Sequence, residues 1–198
     1  MAELKVGDMI QFGKYDWRVL DVQDGKALLL TDKIIVTRRY RDPQTTVTWA
    51  ECPLRGYLNN EFYHSFNPQE KERIVRTKIT TDENPWWPDG IGVDDTVDRT
   101  FLLSIEEVVK YFGDSGQLEN QPKDGNGKPA WGIGDEFSEA RIAVNEFETL
   151  MLWWLRSPGC HDYEATFVNH YGDIHIHGSS NQFDTVGVRP ALWLALES

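Results

Sequence analysis

Two short apolar segments frame the C-terminal part of the chain and limit how it can fold. Residues 152–158 and 187–194 are rich in tryptophan, leucine and valine, and each contains one arginine and one proline. Short apolar runs of this kind are typical of buried strands, and a proline ring fixes the backbone φ angle. We therefore predict two rigid core elements, in which Arg156 and Arg189 pair with internal carboxylates and do not face a ligand.

The stretch between these segments, residues 160–186, has a different character. It contains four of the five histidines of the chain, two tyrosines, three aspartates, and neither lysine nor arginine. Its alternation over residues 173–177 predicts a strand whose two isoleucines face the core, while Asp173, His175 and His177 share the opposite face. A polar and aromatic stretch held between two apolar segments indicates a binding surface or an active site.

Composition excludes some classes of function. The chain has 198 residues and a net charge of −12, with a pI near 4.8, so a phosphate backbone would be repelled and no nucleic-acid partner is expected. The length fits one domain over residues 1–198. No signal peptide and no apolar run of about 18 residues is present, so we expect no membrane insertion and leave localisation open among cytoplasm, phage virion and another export route.

Strand signals dominate both ends of the chain. Alternating or apolar runs predict strands at residues 8–12, 15–22 and 26–31, and Asp24-Gly25 is a hairpin signal between the last two. Residues 188–196 are apolar enough for a central strand. A further short strand is expected at residues 99–103.

The middle of the chain combines helix signals with long loops. Ser104 and Glu107 form a capping box for a helix over residues 105–112 that ends at Gly113, and Asn67-Pro68 is typical of a helix start. Further helices are expected near residues 54–62 and 137–150. Loops are expected over residues 80–98, where packing of the Trp86-Trp87 pair is favoured over a stacking platform, and over residues 114–135, with Trp131 as an anchor. The predicted class is α+β, with a mixed, mostly antiparallel sheet, short helices and long ordered loops.

Catalytic and metal chemistry form the alternative interpretation. His175 and His177, two residues apart on one strand, could chelate a metal ion, with His161, His170 or Asp173 as further ligands. The motifs of a nucleophile elbow, a phosphate-binding loop and a dinucleotide site are absent. The candidate nucleophiles are supported only by their position in the sequence, and they are Cys160, Ser157, Ser179 and Ser180. The alternative function is therefore a metal-dependent or hydrolytic enzyme, whereas the favoured function needs no cofactor and no metal. A structural or assembly module with a histidine-rich surface is a third possibility.

Several motifs along the chain resemble a bacterial family of unknown function. The most specific are Trp-Trp-Leu-Arg-Ser-Pro and Gly-Val-Arg-Pro-Ala-Leu in the two framing segments. The matching motifs are spread over nearly the whole chain and lie at residues 7–8, 15–20, 48–55, 101–104, 153–159 and 187–194. This resemblance implies a C-type-lectin-like fold of the formylglycine-generating-enzyme type. Some members look like variable proteins of diversity-generating retroelements, in which adenines of asparagine codons are randomised.

The same resemblance implies where the chain would vary. Randomised AAC codons cannot encode Lys, Glu, Gln, Met or Trp, and between residues 160 and 186 only Glu164 and Gln182 break that rule. The tripeptides of calcium-dependent sugar-binding lectins are absent, and the paired late cysteines of formylglycine-generating enzymes are also missing, since only Cys160 lies late in the chain. Calcium-lectin and oxidase activities are therefore not expected.

These observations predict a receptor-like protein with a variable ligand-binding region at residues 160–186. Tyrosine and phenylalanine would supply rigid aromatic contacts, and the polar side chains would supply hydrogen bonds. The expected partner is a protein or a glycan on a cell or phage surface. The predicted ligand-binding residues are His161, Asp162, Tyr163, Thr166, His170, Tyr171, Asp173, His175, His177, Ser180, Phe183 and Asp184.

Overall fold

The protein folds as a mixed α+β structure, mostly antiparallel sheets with a few short helices, which confirms the predicted class. The structure is a computed structural model that describes residues 4–41, 48–88, 94–180 and 185–196, with only the backbone described at Asp94 and Ser180. Among the helices described, none is long and apolar enough to cross a membrane.

The regular elements of the described residues are short and numerous. The strands are β1 (Met9–Phe12), β2 (Tyr15–Gln23), β3 (Lys26–Thr31), β4 (Val36–Thr37), β5 (Thr77–Thr81), β6 (Asp94–Asp98), β7 (Ala143–Val144), β8 (Leu150–Met151), β9 (Trp153–Pro158), β10 (Glu164–Val168), β11 (Ile174–Ser180), β12 (Gly187–Val188) and β13 (Ala191–Ala195). The helices are α1 (Pro53–Tyr57), α2 (Pro68–Arg73), α3 (Ile105–Phe112) and α4 (Ser138–Arg141), with a 3-10 turn at Trp49–Glu51 and a π-helical turn at Leu58–Phe62.

The first sheet has four strands in the order β1-β2-β3-β13, all antiparallel. The predicted N-terminal meander is confirmed, and its hairpin turns at Asp24 and Gly25, whose φ angles are 49° and 70°. Both central residues of a type I′ turn need positive φ, which explains the Asp-Gly pair. Strand β3 is buried from Ala27 onward, as its apolar run predicts.

The second sheet has five strands in the order β11-β10-β9-β12-β4, and only the β9–β12 pair is parallel. Both faces of β9 are covered, because its neighbouring residues Trp153 and Trp154 are each 0% exposed. Their indole N–H groups donate to the backbone carbonyls of Arg141 and Arg38, at 3.0 and 2.9 Å. Buried tryptophans with satisfied N–H groups fix β9 as the rigid centre of this sheet.

The predicted central strand over residues 188–196 is confirmed only as a strand over Ala191–Ala195 at a sheet edge, because the chain changes sheets before it. Val188 ends β12 in the second sheet, and Ala191 begins β13 at the edge of the first. Pro190 lies between them and has no N–H to give to either sheet, while its carbonyl accepts a hydrogen bond from Thr31 at 3.0 Å. The second framing segment therefore ties the two sheets together.

The two framing arginines are both buried, but they have different partners. Arg156 pairs with Glu107 and donates to the carbonyl of Leu102 at 2.8 Å, as predicted. Arg189 forms no ion pair with a carboxylate among the described residues; it donates to the carbonyl of Thr31 at 2.8 Å and lies over the ring of Trp153. Complete burial lowers the pKa of Arg189 to about 9, because the charged form loses its hydration.

The helix starts predicted from capping residues are confirmed. Ser104 and Glu107 form the predicted capping box, and α3 ends at Gly113, whose φ is 128°. The cap of α2 at Asn67 is confirmed in the same way. Helix α3 buries one face, Ile105 included, against the core.

Three other predictions are corrected. Residues 80–98 are not all loop, because β5 and β6 pair into a two-stranded sheet that buries Asp98 against Arg55. Residues 99–103 form an isolated bridge between Phe101 and Ala191, and no regular strand. The predicted helix over 137–150 is only the short α4, followed by the β7–β8 pair, whose connecting loop holds a residue with positive φ.

Candidate functional site

The loop between β9 and β10 brings four polar side chains together beside β11. The thiol of Cys160 lies 2.8 Å from Nδ1 of His161 and 3.1 Å from a carboxylate oxygen of Glu164. Across the sheet, Nε2 of His177 lies 3.1 Å from the same sulfur. Nδ1 of His161 is 3.2 Å from the Glu164 carboxylate. We call these four residues the thiol–histidine cluster.

Two glycines allow this close approach. A Cβ at Gly159 would lie 2.6 Å from Cβ of Glu164 and 2.8 Å from the carbonyl oxygen of His177. Gly178 has a φ of 84°, and a Cβ there would lie 2.9 Å from Cα of Gly159. The backbone is fixed further by the N–H of Cys160, which donates to the carbonyl of His177 at 2.8 Å. The loop is therefore held against β11 by backbone contacts that no larger residue would permit.

Tryptophans from two other parts of the chain surround His177. The ring of Trp131 stacks on His177 with centroids 4.8 Å apart, and Trp87 meets it edge-on at 5.2 Å. Trp131 is 68% exposed, so it is not the anchor of the loop over residues 114–135. That anchor is Ile133, which is 1% exposed and pairs with Ile174 of β11.

Asn84 fixes the second tryptophan beside β11. Its amide nitrogen donates to the carbonyls of Pro158 and Ile176 at 2.9 and 2.7 Å. Its side-chain oxygen accepts from the N–H groups of Trp86 and Trp87 at 3.0 and 3.2 Å. Trp86 packs over the neighbouring loop, as predicted for the pair, whereas Trp87 faces His177.

A second group of predicted residues lies at the opposite end of β10. The turn from Asn169 leads into β11, and the side-chain oxygen of Asn169 accepts hydrogen bonds from the N–H groups of Tyr171 and Asp173 at 2.8 and 3.0 Å. Tyr171 is 66% exposed, and the centroids of the His170 and Tyr171 rings lie 4.0 Å apart. Since five residues of extended strand span roughly 17 Å, this turn and the thiol–histidine cluster are separate features.

His175 does not join the thiol–histidine cluster. It is half-buried, stacks on Phe167 with centroids 4.6 Å apart, and contacts the amide of Asn169 at 3.2 Å. Burial lowers its pKa below the usual value, although the carboxylate of Asp173 partly offsets this effect. The predicted grouping of His161, His175 and His177 around one metal ion is therefore not what the described residues form.

The remaining predicted ligand-binding residues differ in their exposure. Thr166 is a correction: it is 0% exposed and donates to the carbonyl of Ser157 at 2.9 Å, so a surface ligand cannot reach it. Asp162 and Tyr163 are exposed. Ser180 ends β11 but its side chain is not described, and Phe183 and Asp184 lie outside the described residues.

The predicted face of β11 is partly confirmed. Ile174 and Ile176 are both 0% exposed, as the alternation predicts. The register of β10 and β11 shifts between Ala165 and Phe167, however, so the strands are not paired evenly along their length. This irregularity lies at the thiol–histidine cluster, and such bulges redirect side chains next to many functional sites.

A comparison with protein families shows to which family the chain belongs. Residues 24–196 match the family described as Domain of unknown function (DUF6273). The chain belongs to the DUF6273 family. No curated protein and no solved structure shows a significant match.

The matched region of this DUF6273 chain includes the whole candidate site. It begins at the turn between β2 and β3 and ends one residue after β13, so both framing segments and the thiol–histidine cluster fall within it. The residues that sequence analysis missed here are Glu164, Trp131, Trp87 and Asn84. One sequence signal could have indicated that Cys160 and Glu164 are neighbours. It is the Cys-His-x-x-Glu spacing, because a single turn can bring the cysteine and glutamate side chains together.

The surroundings of the Cys160 thiol in this DUF6273 chain favour its protonated form. Loss of hydration raises the pKa of the Cys160 thiol to about 12, and the neighbouring Glu164 carboxylate acts in the same direction. A reactive cysteine needs the opposite environment, one that favours the thiolate. The thiol, two imidazoles and the carboxylate are instead a set of donor groups that could hold a metal ion.

The DUF6273 chain also has an open cleft of about 600 Å³ elsewhere. It is lined by residues of β2, of β3 to β4 with their connection, and of the β7–β8 loop, including Lys33 and Phe147. None of the predicted ligand-binding residues that the structure describes lines it, and β4 is at the opposite edge of the second sheet from β11. We therefore place the candidate site at the thiol–histidine cluster and its aromatic surroundings.

Proposed function

We propose that this protein is a receptor-like binding protein, which recognises a protein or a glycan through the exposed rings around the thiol–histidine cluster. The observation that carries the proposal is the group of aromatic side chains exposed on a fixed backbone. Trp131 is 68% exposed and Tyr163 is 41% exposed, and each stacks on a histidine, His177 and His161 respectively.

Physical reasons favour recognition at such a surface. Large aromatic side chains bury much area on binding and lose little conformational entropy, so they dominate many binding interfaces. Here the rings are already oriented by stacking, and Asn84 and Gly159 fix the backbone that carries them. A preformed surface loses less free energy on association than a flexible one. Polar groups such as Asp162 next to the rings would provide hydrogen bonds.

We further propose that residues 160–186 are the variable region of a diversity-generating system, but with variation confined to the positions that flank β10, which are exposed except for the half-buried His170. Asp162 and Tyr163 precede this strand and His170 and Tyr171 follow it, whereas Ala165 to Val168 are buried. Substitution of the buried residues would disturb the core, so a tolerant framework must hold them constant. The pattern of burial thus supports two short variable patches.

The finer fold identity is also a proposal. A C-type-lectin-like fold of the formylglycine-generating-enzyme type would place a variable loop region on a small mixed sheet. The mixed, mostly antiparallel sheets and short helices support this assignment at the level of class. Such a scaffold would explain how the exposed positions change while Trp153 and Trp154 stay in the core.

The experiment compares two exposed aromatic residues. Fluorescently labelled protein is incubated with a glycan microarray and with intact bacterial cells, and then Trp131→Ala and Phe147→Ala variants are tested on the binders found. Phe147 is 77% exposed but lies at the cleft away from the site, so it is a matched control. We expect at least about a tenfold loss of affinity for Trp131→Ala, and none for Phe147→Ala. Equal effects of the two substitutions would contradict the proposal.

A further inference from the structure

The thiol–histidine cluster has the donor atoms and the spacing of a metal site. One ligand atom from each of Cys160, His161 and Glu164 lies within 4.8 Å of the other two. Both ring nitrogens of His177 lie close to the cluster: Nε2 is 3.1 Å from the Cys160 sulfur, and Nδ1 is 3.7 Å from the Glu164 carboxylate. These four side chains converge from a loop, the start of β10 and the middle of β11.

The distances agree with tetrahedral coordination. Zinc bonds of about 2.3 Å to sulfur and about 2.0–2.1 Å to nitrogen or oxygen place tetrahedral ligand atoms about 3.3–3.6 Å apart. With Nδ1 as the donor atom of both histidines, the Cys160 sulfur lies 2.8 Å from His161 and 3.5 Å from His177. The Glu164 carboxylate lies 3.2 Å and 3.7 Å from the same two nitrogens, and 3.1 Å from the sulfur. Small rotations of the His161 and His177 rings, whose centroids are 6.0 Å apart, would bring their nitrogens to a common centre.

The surroundings support a metal ligand role for His177. Its ring is held by the face of Trp131 and the edge of Trp87, and its side chain is 24% exposed. Ligating imidazoles are usually held in one orientation by neighbouring groups, and a hydrophobic wall limits access of water. The carboxylate of Glu164 is more deeply placed, with its side chain 11% exposed.

We propose that Cys160, His161, Glu164 and His177 form a binding site for a zinc-like divalent cation. A thiolate and two imidazoles favour zinc over calcium or magnesium, which prefer oxygen ligands. On binding, the sulfur of Cys160 forms a bond to the metal and its proton passes to solvent. One thiolate and one carboxylate then balance the two positive charges of the ion, so the occupied site is neutral.

The bound metal ion would have a structural role. With four protein ligands no coordination position remains for a substrate, which is typical of structural zinc. The metal would join the loop that carries Asp162 and Tyr163 to β11, and so fix the exposed rings beside Trp131. This inference stands independently of the proposed recognition function, because metal binding is measured without any ligand.

The test uses untagged, full-length protein stripped of metal by a chelator and titrated with cobalt(II) and then zinc(II). We expect one equivalent of cobalt to produce the charge-transfer band of a thiolate–cobalt bond together with the intense visible bands of tetrahedral geometry. Zinc should then displace the cobalt. Circular dichroism of each variant confirms that the fold is kept.

Three variants make the test specific. Cys160→Ser should remove the charge-transfer band, and Glu164→Gln, which keeps the thiol, should weaken zinc binding at least tenfold. His170→Ala is the matched control, since His170 lies at the other end of β10, and it should bind as the wild type does. The inference is overturned if the wild-type protein shows no charge-transfer band, if the band persists in Cys160→Ser, or if His170→Ala and Glu164→Gln lose affinity equally.

Discussion

Trp131 lies face to face with His177, with ring centroids 4.8 Å apart and an angle of 25° between the planes. The two residues are also joined through the backbone, because the N–H of His177 donates to the carbonyl of Trp131 at 2.9 Å. Residues 131–133 therefore pair with β11 at its outer edge and add an exposed ring to the site. Trp131 is therefore a surface residue, whereas other tryptophans form part of the core.

The first prediction separates surface tryptophan from core tryptophan. Trp131→Ala should lower the free energy of unfolding by less than about 1 kcal/mol, since most of the ring already contacts water. Trp153→Ala, at a position that is 0% exposed, should lower it by about 3–5 kcal/mol through the cavity it leaves. Urea unfolding of both variants measures the difference, and losses of equal size would show that Trp131 is a core residue.

The second prediction concerns a buried ion pair away from the thiol–histidine cluster. Arg141 and Asp135 have side chains that are 0% and 1% exposed, and they form two hydrogen bonds of 2.9 and 3.1 Å. Asp135→Asn should lower the free energy of unfolding at pH 7 by about 3 kcal/mol, because it leaves the arginine charge buried without its partner. Asp95→Asn, at an exposed pair with Lys78, is the control and should leave unfolding unchanged.

The same ion pair should make the stability depend on pH. Burial alone would raise the pKa of Asp135, but the hydrogen bonds from Arg141 and Ser115 outweigh it and hold the pKa below its usual value. Stabilisation by a carboxylate of lowered pKa is complete above its unfolded-state pKa of about 3.9, and is lost as the pH falls through the folded-state value. Acid unfolding curves should be less steep below about pH 4 for Asp135→Asn than for the wild type. Curves of equal steepness would contradict this role.

The third prediction concerns the turn at the far end of β10. Gly172 has a φ of 85°, and a Cβ there would lie 1.7 Å from the carbonyl oxygen of Ser138. Gly172→Ala should therefore cost more than about 2 kcal/mol of stability, from a backbone clash and from strain together. Gly125→Ala is the control, because a Cβ at Gly125 meets nothing within 4 Å. Thermal unfolding of the two variants compares them, and a neutral Gly172→Ala would show that the turn repacks freely.

Local signals in the sequence predicted local structure well. The Asp24-Gly25 hairpin and the capping box at Ser104 depend on contacts between residues a few positions apart, and both formed as expected. The strand over 94–98 was missed because its aspartates are typical of loops, and only its pairing with β5 and the burial of Asp98 stabilise it. Such a strand depends on tertiary contacts that local propensity does not include.

The candidate site could be predicted only in part. The clustering of polar residues after residue 160 indicated the right region, but it gave no sign that Thr166 would be buried and His175 turned toward Phe167. Those outcomes depend on the register shift between β10 and β11. Trp131 and Asn84 reach the site from loops that are distant in the sequence. The spacing of residues in a single sequence does not indicate such long-range contacts.

The most direct test of the recognition account is to sequence this gene and its flanking DNA in many closely related strains. We predict a template repeat with adenine-specific differences, and amino-acid changes concentrated at Asp162, Tyr163, His170 and Tyr171, with Thr166 constant. If those four positions are as fixed as the buried Trp153–Pro158 strand, residues 160–186 are not a diversified binding surface.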